Sequence, residues 1–338
     1  MSGADEEETA GRSGLPRLRW PLLLMVTLGV YGAALAAAGI EDVAAAVAGA
    51  SPRYLVAGLL LQVVVTLTWP QVHRASVRSV GHDVSYAGAL NVSMSAFTVS
   101  HAVPGGGAVG AGVAVERLTT LGLPGPAATA SATLTGPVSL TTIVGLATGG
   151  VTAAVLAGEL PPVMLALAVL GLVGLCLLLG SIVAGIRSPA AGERVIDTLG
   201  RLHPRLERRT DRWRRSWRGV TEQAPTLGNV GRIFAWSLGK WVADIGSLAM
   251  VFLAFGQTPR ITMLLVGFGV SQLLAAVPVT PGGLGVVEGG MAGAFVTLGL
   301  AFPVATSIVL AYRLLEAWLP TAAGVPFLLR PPSPEGAR

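Results

Sequence analysis

Five charged side chains stand inside segments otherwise apolar enough to lie in a membrane. Lys240 and Asp244 are spaced i, i+4 within residues 233–257, Glu288 follows a Pro281-Gly282-Gly283 break, and Arg313 and Glu316 are spaced i, i+3 within residues 303–329. Ionisable groups in such segments pair with one another, face a water-filled cavity, or mark the path of a transported species. An arginine fork is shaped to clamp a phosphate, and a carboxylate at the same depth can carry a proton or neutralise the arginine. Lys240 is the single lysine of the protein, with arginine supplying every other long basic side chain. Spacing puts Trp236, Lys240, Asp244 and Ser247 on one helical face. Two readings stand for these groups. Lys240 with Asp244, and Arg313 with Glu288, Glu316 or Asp244, form structural ion pairs, or they form a substrate and coupling site.

The element that must position them is the stretch 275–293, AAVPVTPGGLGVVEGGMAG. Proline removes a helical donor and clashes with the preceding turn, while paired glycines allow a sharp change of direction. A helix broken at membrane depth leaves backbone polar groups that only protein or a water-lined cavity can satisfy. A weaker echo lies in the first half. Aligning Pro104 with Pro281 matches Gly105 to Gly282, Gly106 to Gly283 and Gly112 to Gly289. The helix before the first break carries Asn91, Ser93, Ser95, Thr98, Ser100 and His101, so it faces protein or water. Two broken helices, one per half, are a sequence mark of internally repeated transporters.

Composition sets the class. With 52% hydrophobic and 12% charged residues and a mean hydropathy of +0.67, the chain reads as an all-α polytopic membrane protein. Its single cysteine, Cys176, excludes a disulfide framework and a cysteine metal site. His73, His82, His101 and His203 are scattered, and no HExxH or GxSxG run occurs. No metal, cofactor or enzymatic chemistry is expected. The net charge of +5 is concentrated in arginine clusters beside apolar segments, which marks cytoplasmic flanks in preference to a nucleic-acid surface.

Positive-inside bookkeeping then gives a topology. Residues 1–19 read as a disordered cytoplasmic N-terminus, residues 20–186 as a first membrane half with a broken hairpin at 84–123, residues 187–232 as an Arg-rich cytoplasmic linker, residues 233–329 as a second half with a broken hairpin at 261–302, and residues 330–338 as a cytoplasmic tail. Residues 20–40 are too long for a signal-peptide core and are read as a retained span. Residues 54–69 are read as the next span, with residues 71–83 as a cytoplasmic loop. In the linker, Trp213 and Trp217 beside Arg205, Arg208, Arg209, Arg212, Arg214 and Arg215 describe a helix lying on an anionic leaflet. The first hairpin opens from the cytoplasm and the second from outside, which makes the halves two inverted repeats, each with a Pro/Gly-broken or re-entrant helical hairpin. Small-residue faces such as 125–150 suit a homo-dimer or internal packing.

PVTPGGLGVVEGG, followed by AYRLLEAWLP, resembles the C-terminal half of the flippase-like transmembrane family, which comprises the membrane portion of lysylphosphatidylglycerol synthases and their stand-alone relatives. The resemblance is strongest over 271–320 and extends loosely over 54–329. In the first half, VPGGGAVGAGVAVERL departs from the family pattern, since its charges wait until Glu116 and Arg117. The resemblance implies translocation of an anionic or polyprenyl-phosphate lipid between the leaflets of the cell membrane. No segment of the sequence has room for the family's aminoacyltransferase domain.

The expected site follows from both readings. Arg313, Lys240 and Arg117 compensate a phosphate, with the breaks at Pro104, Gly105 and Gly106 and at Pro281, Gly282 and Gly283 offering free amides. Glu288, Asp244, Glu316, Glu116 and His101 are the coupling or charge-pairing groups, His101 being alternatively a packing histidine. The competing function is a secondary transporter of a small soluble anion.

Overall fold

The computed structural model describes residues 47–103, 105–188, 227–275 and 280–332, together with Glu41, Ala45 and Ala190. The span expected at 20–40, the N-terminal tail, residues 189 and 191–226 of the 187–232 linker, the tail beyond 332, Pro104 and Pro278 lie outside the described residues. Those described are helical almost throughout. In chain order they form α1 (Pro52–Ser79), α2 (Tyr86–Ala102), α3 (Gly106–Thr120), α4 (Gly125–Leu156), α5 (Pro162–Arg187), α6 (Leu227–Ala254) and α7 (Ile261–Ala275). A 3-10 turn (Pro281–Gly283), α8 (Val286–Thr297), α9 (Phe302–Arg313), a π-helical turn (Leu314–Trp318) and α10 (Leu319–Leu329) follow. Five stretches, Pro52–Ser79, Gly125–Leu156, Pro162–Ser181, Gly228–Ala254 and Phe302–Leu329, are long and apolar enough to cross a membrane.

α1 corrects the sequence reading. The loop expected from residue 71 is helix as far as Ser79, with Pro70 inside it and Val72, His73, Ala75 and Ser76 buried. Pro70 removes one backbone donor, but the following turns bury their apolar side against Ala127, Ala130, Leu134 and Ile233, and that packing carries the helix past the proline.

α1 and α6 are the central pair. Ser51 N–H donates to the Ala254 carbonyl at 2.7 Å, the Ser247 hydroxyl to the Gly58 carbonyl at 2.9 Å, and Gln62 Nε2 to Asp244 Oδ1 at 2.6 Å. Residue numbers rise along one helix as they fall along the other, so the two run antiparallel. The approach is close because Gly58 has no side chain: a Cβ there would stand 3.4 Å from the Ser247 carbonyl. The threonines of α4 donate inside their own helix, with Thr129, Thr133, Thr135, Thr142, Thr148 and Thr152 each bonding the carbonyl four residues back. A Thr-rich span thereby leaves those hydroxyls no unmet demand. Its Ala147 and Gly150 pack on Gly269 and Leu265 of α7, so that part of the small-residue face serves internal packing.

Each half contains a hairpin of two short helices. The arms have 17, 15, 15 and 12 residues, or about 26, 22, 22 and 18 Å at about 1.5 Å per residue, all below the roughly 30 Å of a hydrocarbon core. α2 packs along α3, and α7 along α8, so the chain turns back at each break, and the first hairpin meets the 3-10 turn of the second. The glycines aligned in the sequence share a conformation: Gly105 has φ 67°, ψ 20° and Gly282 has φ 57°, ψ 16°. Both occupy the left-handed region that glycine enters without a Cβ penalty. The two copies then diverge. Helix resumes at Gly106 in the first, whereas Gly283 and Gly285 keep positive φ and helix resumes only at Val286 in the second.

Beneath the second hairpin lies an aromatic core. Phe252, Phe268, Phe295 and Tyr312 are fully buried, with Phe252 and Phe295 edge to face at 4.9 Å. Gly267 makes room for the Phe295 ring.

Candidate functional site

Where the two hairpin tips meet α1, α4 and α6, the helices enclose a cavity of about 360 Å³. α1 contributes a stripe at helical spacing, Gln62, Val65, Trp69 and His73; α6 contributes Lys240, Trp241 and Asp244; the end of α9 and the π-turn contribute Arg313 and Glu316. His101 and Gly282, the residues at the two tips, also line it.

Arg313 is buried and bonded through each of its three nitrogens. Its Nε donates to Glu288 Oε1 at 2.8 Å, Nη1 to Glu316 Oε2 at 2.9 Å and Nη2 to the Gly282 carbonyl at 2.7 Å. Glu288 in turn accepts the Gly285 N–H at 2.7 Å on Oε2, as the acid of a capping box does at a helix start. The second break therefore has its carbonyl and its amide met by this pair. The Arg313–Glu316 pairing expected from i, i+3 spacing forms, and the guanidinium is committed to protein groups as the structure stands.

Lys240 and Asp244 do not form the pair their spacing suggested. Asp244 Oδ1 accepts from Gln62 Nε2 at 2.6 Å and from the Tyr312 hydroxyl at 2.8 Å. The Lys240 ammonium lies instead between two indoles, 3.2 Å from the Trp241 ring centre and 4.9 Å from that of Trp69, and makes no hydrogen bond or ion pair within 4 Å among the described residues. Trp241 is fixed by its own Nε1–H, which donates to the Ser139 carbonyl at 3.1 Å. Trp236, placed with Lys240 by spacing, is exposed.

The other expected groups separate. His101 packs on Phe97, with ring centres 3.9 Å apart, and its Nδ1 is 3.0 Å from the Phe97 carbonyl. Its backbone carbonyl lies against Gly282, where a Cβ would stand only 3.0 Å away. Gly106 is sealed against the Ser100 carbonyl, leaving no space for a side chain, while Gly107 borders the cavity with nothing near. Arg117 and Glu116 are not at the cavity. The Arg117 guanidinium donates to the Leu328 carbonyl, and Asn91 Nδ2 donates to the Phe327 and Arg330 carbonyls. These contacts cap the C-terminal end of α10, where positive charge opposes the helix dipole. Glu116 is exposed on α3. The sequence reading gave no role to Gln62, Trp69 and Trp241; polar or indole groups inside otherwise apolar spans were the available signal.

The family model described as "Lysylphosphatidylglycerol synthase TM region" matches residues 22–324. Three proteins of Methanothermobacter thermautotrophicus, each named "UPF0104 membrane protein", are similar over shorter stretches. One is 34% identical over 109 residues, 32% of this chain and 33% of that protein. The second is 32% identical over 89 residues, 26% and 25% of the two chains, and the third 29% over 85 residues, 25% of each. The matches thus span between a quarter and a third of the length of these relatives.

Proposed function

The chain belongs to the family of the lysylphosphatidylglycerol synthase transmembrane region, and from that premise we propose that it carries a lipid with a phosphate-bearing head between the two leaflets, without covalent chemistry. The observation that carries the reading is Lys240. A cation held in a buried cavity by aromatic faces, with no anion against it, is poised to receive one.

Arg313 yields the substrate role to Lys240, because the arginine already serves two carboxylates and a carbonyl. The cavity volume suits a headgroup and leaves the hydrocarbon chains in the bilayer. Supporting lipid over a soluble anion, the wall between α3 and α4 is built at this level from Gly107, Ala111, Ala132 and Gly136. Gly107, Ala111 and Gly136 are exposed, and a Cβ at Gly107 or Gly136 would meet nothing within 4 Å. In our reading the headgroup enters sideways here while its chains stay outside.

The two hairpins serve as inverted gates. Because α1 and α6 are antiparallel, the connection leaving α1 and the one leaving α6 lie at opposite ends of the pair, so the hairpins that follow enter from opposite ends and meet at their tips. Arg74 and Arg78 lie at the α2–α3 end, which we assign to the cytoplasm of a cell membrane. Phe302–Leu329 then brings the chain back to that side at Arg330, and the span read from the sequence at residues 20–40 assigns the N-terminus to the same side.

Leaflet exchange of labelled lipids in sealed vesicles tests the function, comparing phosphatidylglycerol derivatives with a short-chain polyprenyl phosphate. Exchange of one class, abolished in Lys240→Met and slowed in Gly136→Trp, is the expected result. Absence of exchange for every lipid, alongside uptake of a soluble anion, would replace this function with the solute carrier.

A further inference from the structure

The charges around the cavity do not balance. Among the described residues the cavity is lined by two cations, Lys240 and Arg313, and two carboxylates, Asp244 and Glu316, and Glu288, which bonds Arg313 from behind the lining, brings the carboxylates of the cluster to three. Both glutamates touch the Arg313 guanidinium. Asp244 has no cation in contact: its donors are an amide and a phenol, and both fall on Oδ1. The cation nearest along its own helix is Lys240, one turn away. A phosphate that takes Lys240 therefore strips Asp244 of its compensating charge and adds another negative charge to a buried site, where an uncompensated charge is costly.

We propose that Asp244 is a proton-binding site filled together with the anion, so that each phosphate-bearing head bound at Lys240 brings one proton onto Asp244 Oδ2. The O–H bond forms at Oδ2 with a proton from bulk water, and no bond breaks in the protein. The bonds from Gln62 and Tyr312 to Oδ1 survive the step. The proposal rests on the Lys240 reading and assigns its coupling ion.

The groups facing Asp244 from each packed element are accounted for. α1 presents Gln62 and, about three turns further, His73, whose Nδ1 is buried without a hydrogen-bond partner. α9 and the π-turn present Tyr312, Arg313 and Glu316; α2 presents His101, bonded through Nδ1 to Phe97. α4 and α7 line the cavity without a titratable side chain. His73, His101 and Glu316 are the competing proton acceptors, and the loss or persistence of uptake in Asp244→Asn separates them from Asp244.

The experiment is calorimetry of the purified full chain with dihexanoyl phosphatidylglycerol, a phosphodiester that does not titrate near neutral pH, in buffers of different ionisation heat. Expected is uptake of about one proton per lipid bound, with affinity falling about tenfold per pH unit over the range where the empty site is unprotonated. Asp244→Asn keeps the oxygen that Gln62 and Tyr312 use and should bind without proton uptake and without that slope. His73→Gln and His101→Gln should retain both. Binding without proton uptake in the unsubstituted protein, uptake that persists in Asp244→Asn, or no binding at all overturns the proposal. Leaflet exchange in parallel vesicles reports separately on the transport function: uptake with no exchange would sink that function and leave the proton site standing.

Discussion

Arg313 separates two kinds of importance that transport assays confuse. Arg313→Met removes a guanidinium whose three bonds run to Glu288, Glu316 and the Gly282 carbonyl, and Arg313 is only 3% exposed. What remains is two carboxylates facing the vacated space, Glu288 buried and Glu316 partly so, and a break carbonyl that has lost the guanidinium donor. Removing one partner of a buried ion pair costs about 3–5 kcal/mol. At roughly 2 °C per kcal/mol for a chain of this length, melting should fall by about 6–10 °C. The assay is thermal unfolding in detergent, followed by intrinsic tryptophan fluorescence, with Lys240→Met as comparison. Lys240 gives up a cation–π contact worth about 2 kcal/mol when desolvated, offset by relief of its own burial, so its melting point should stay within about 3 °C of the parent. A triple variant, Arg313→Met with Glu288→Gln and Glu316→Gln, should recover more than half the loss, since it deletes the stranded charges and keeps an acceptor for the Gly285 N–H. If Arg313→Met melts with the parent protein while losing exchange, the arginine is a substrate group and the lock assigned to it is wrong.

Other expectations follow from single contacts. Gly106→Ala drives a methyl into the Ser100 backbone and should cost about 1–3 kcal/mol by overpacking, whereas Gly107→Ala, one residue on and facing open space, should melt like the parent. Tyr312→Phe deletes a hydrogen bond to a carboxylate and should cost about 1.5–3 kcal/mol, read by the same unfolding measurement. Arg117→Met should loosen the last turn of α10, seen as faster amide exchange over 327–330 with lipid exchange retained. At the membrane surface, Asp83 gains nothing from its slight burial, which raises its carboxyl, but hydrogen bonds from Arg78 and the Val84 N–H, with the charges of Arg78 and Arg74, hold it below its ordinary value. Its contribution is therefore present above the ordinary carboxylate value and disappears as pH falls through the lowered one. The pair is well exposed, so an Asp83→Asn variant should lose less than about 1 kcal/mol at neutral pH.

What could be read from the sequence was what composition and local geometry control. Pro104-Gly105 and Pro281-Gly282 announce breaks because no helix tolerates them unassisted, and the matching left-handed angles of Gly105 and Gly282 follow from the one residue type that enters that region freely. Arg313 and Glu316 pair across one turn because the distant groups that also reach the guanidinium, Glu288 and the Gly282 carbonyl, take its other two nitrogens and leave Nη1 to Glu316. Lys240 and Asp244 have an equally good local spacing and do not pair. The partners of Asp244 come from outside the window that periodicity sees: Gln62 is 182 residues away and Tyr312 is 68, and the antiparallel packing of α1 on α6 brings the first of them in.

The same long-range packing decides which cation is available. By sequence Arg313 is the better phosphate clamp, a fork with five donors against the compact ammonium of Lys240. The fold reverses that order by giving the fork three acceptors at the second break, one of which, Glu288, also holds the start of α8. A residue that ties two backbone groups of a hinge to one guanidinium suits a latch for that hinge, and the π-turn after Arg313 brings Glu316 onto the same latch. Lys240 touches two ring faces and has no ion pair to break among the described residues before it binds an anion, Asp244 one turn away being the charge it leaves uncompensated. An arginine already neutralised can then remain in place through a transport cycle, while the charge that changes partners is the lysine on the opposite wall.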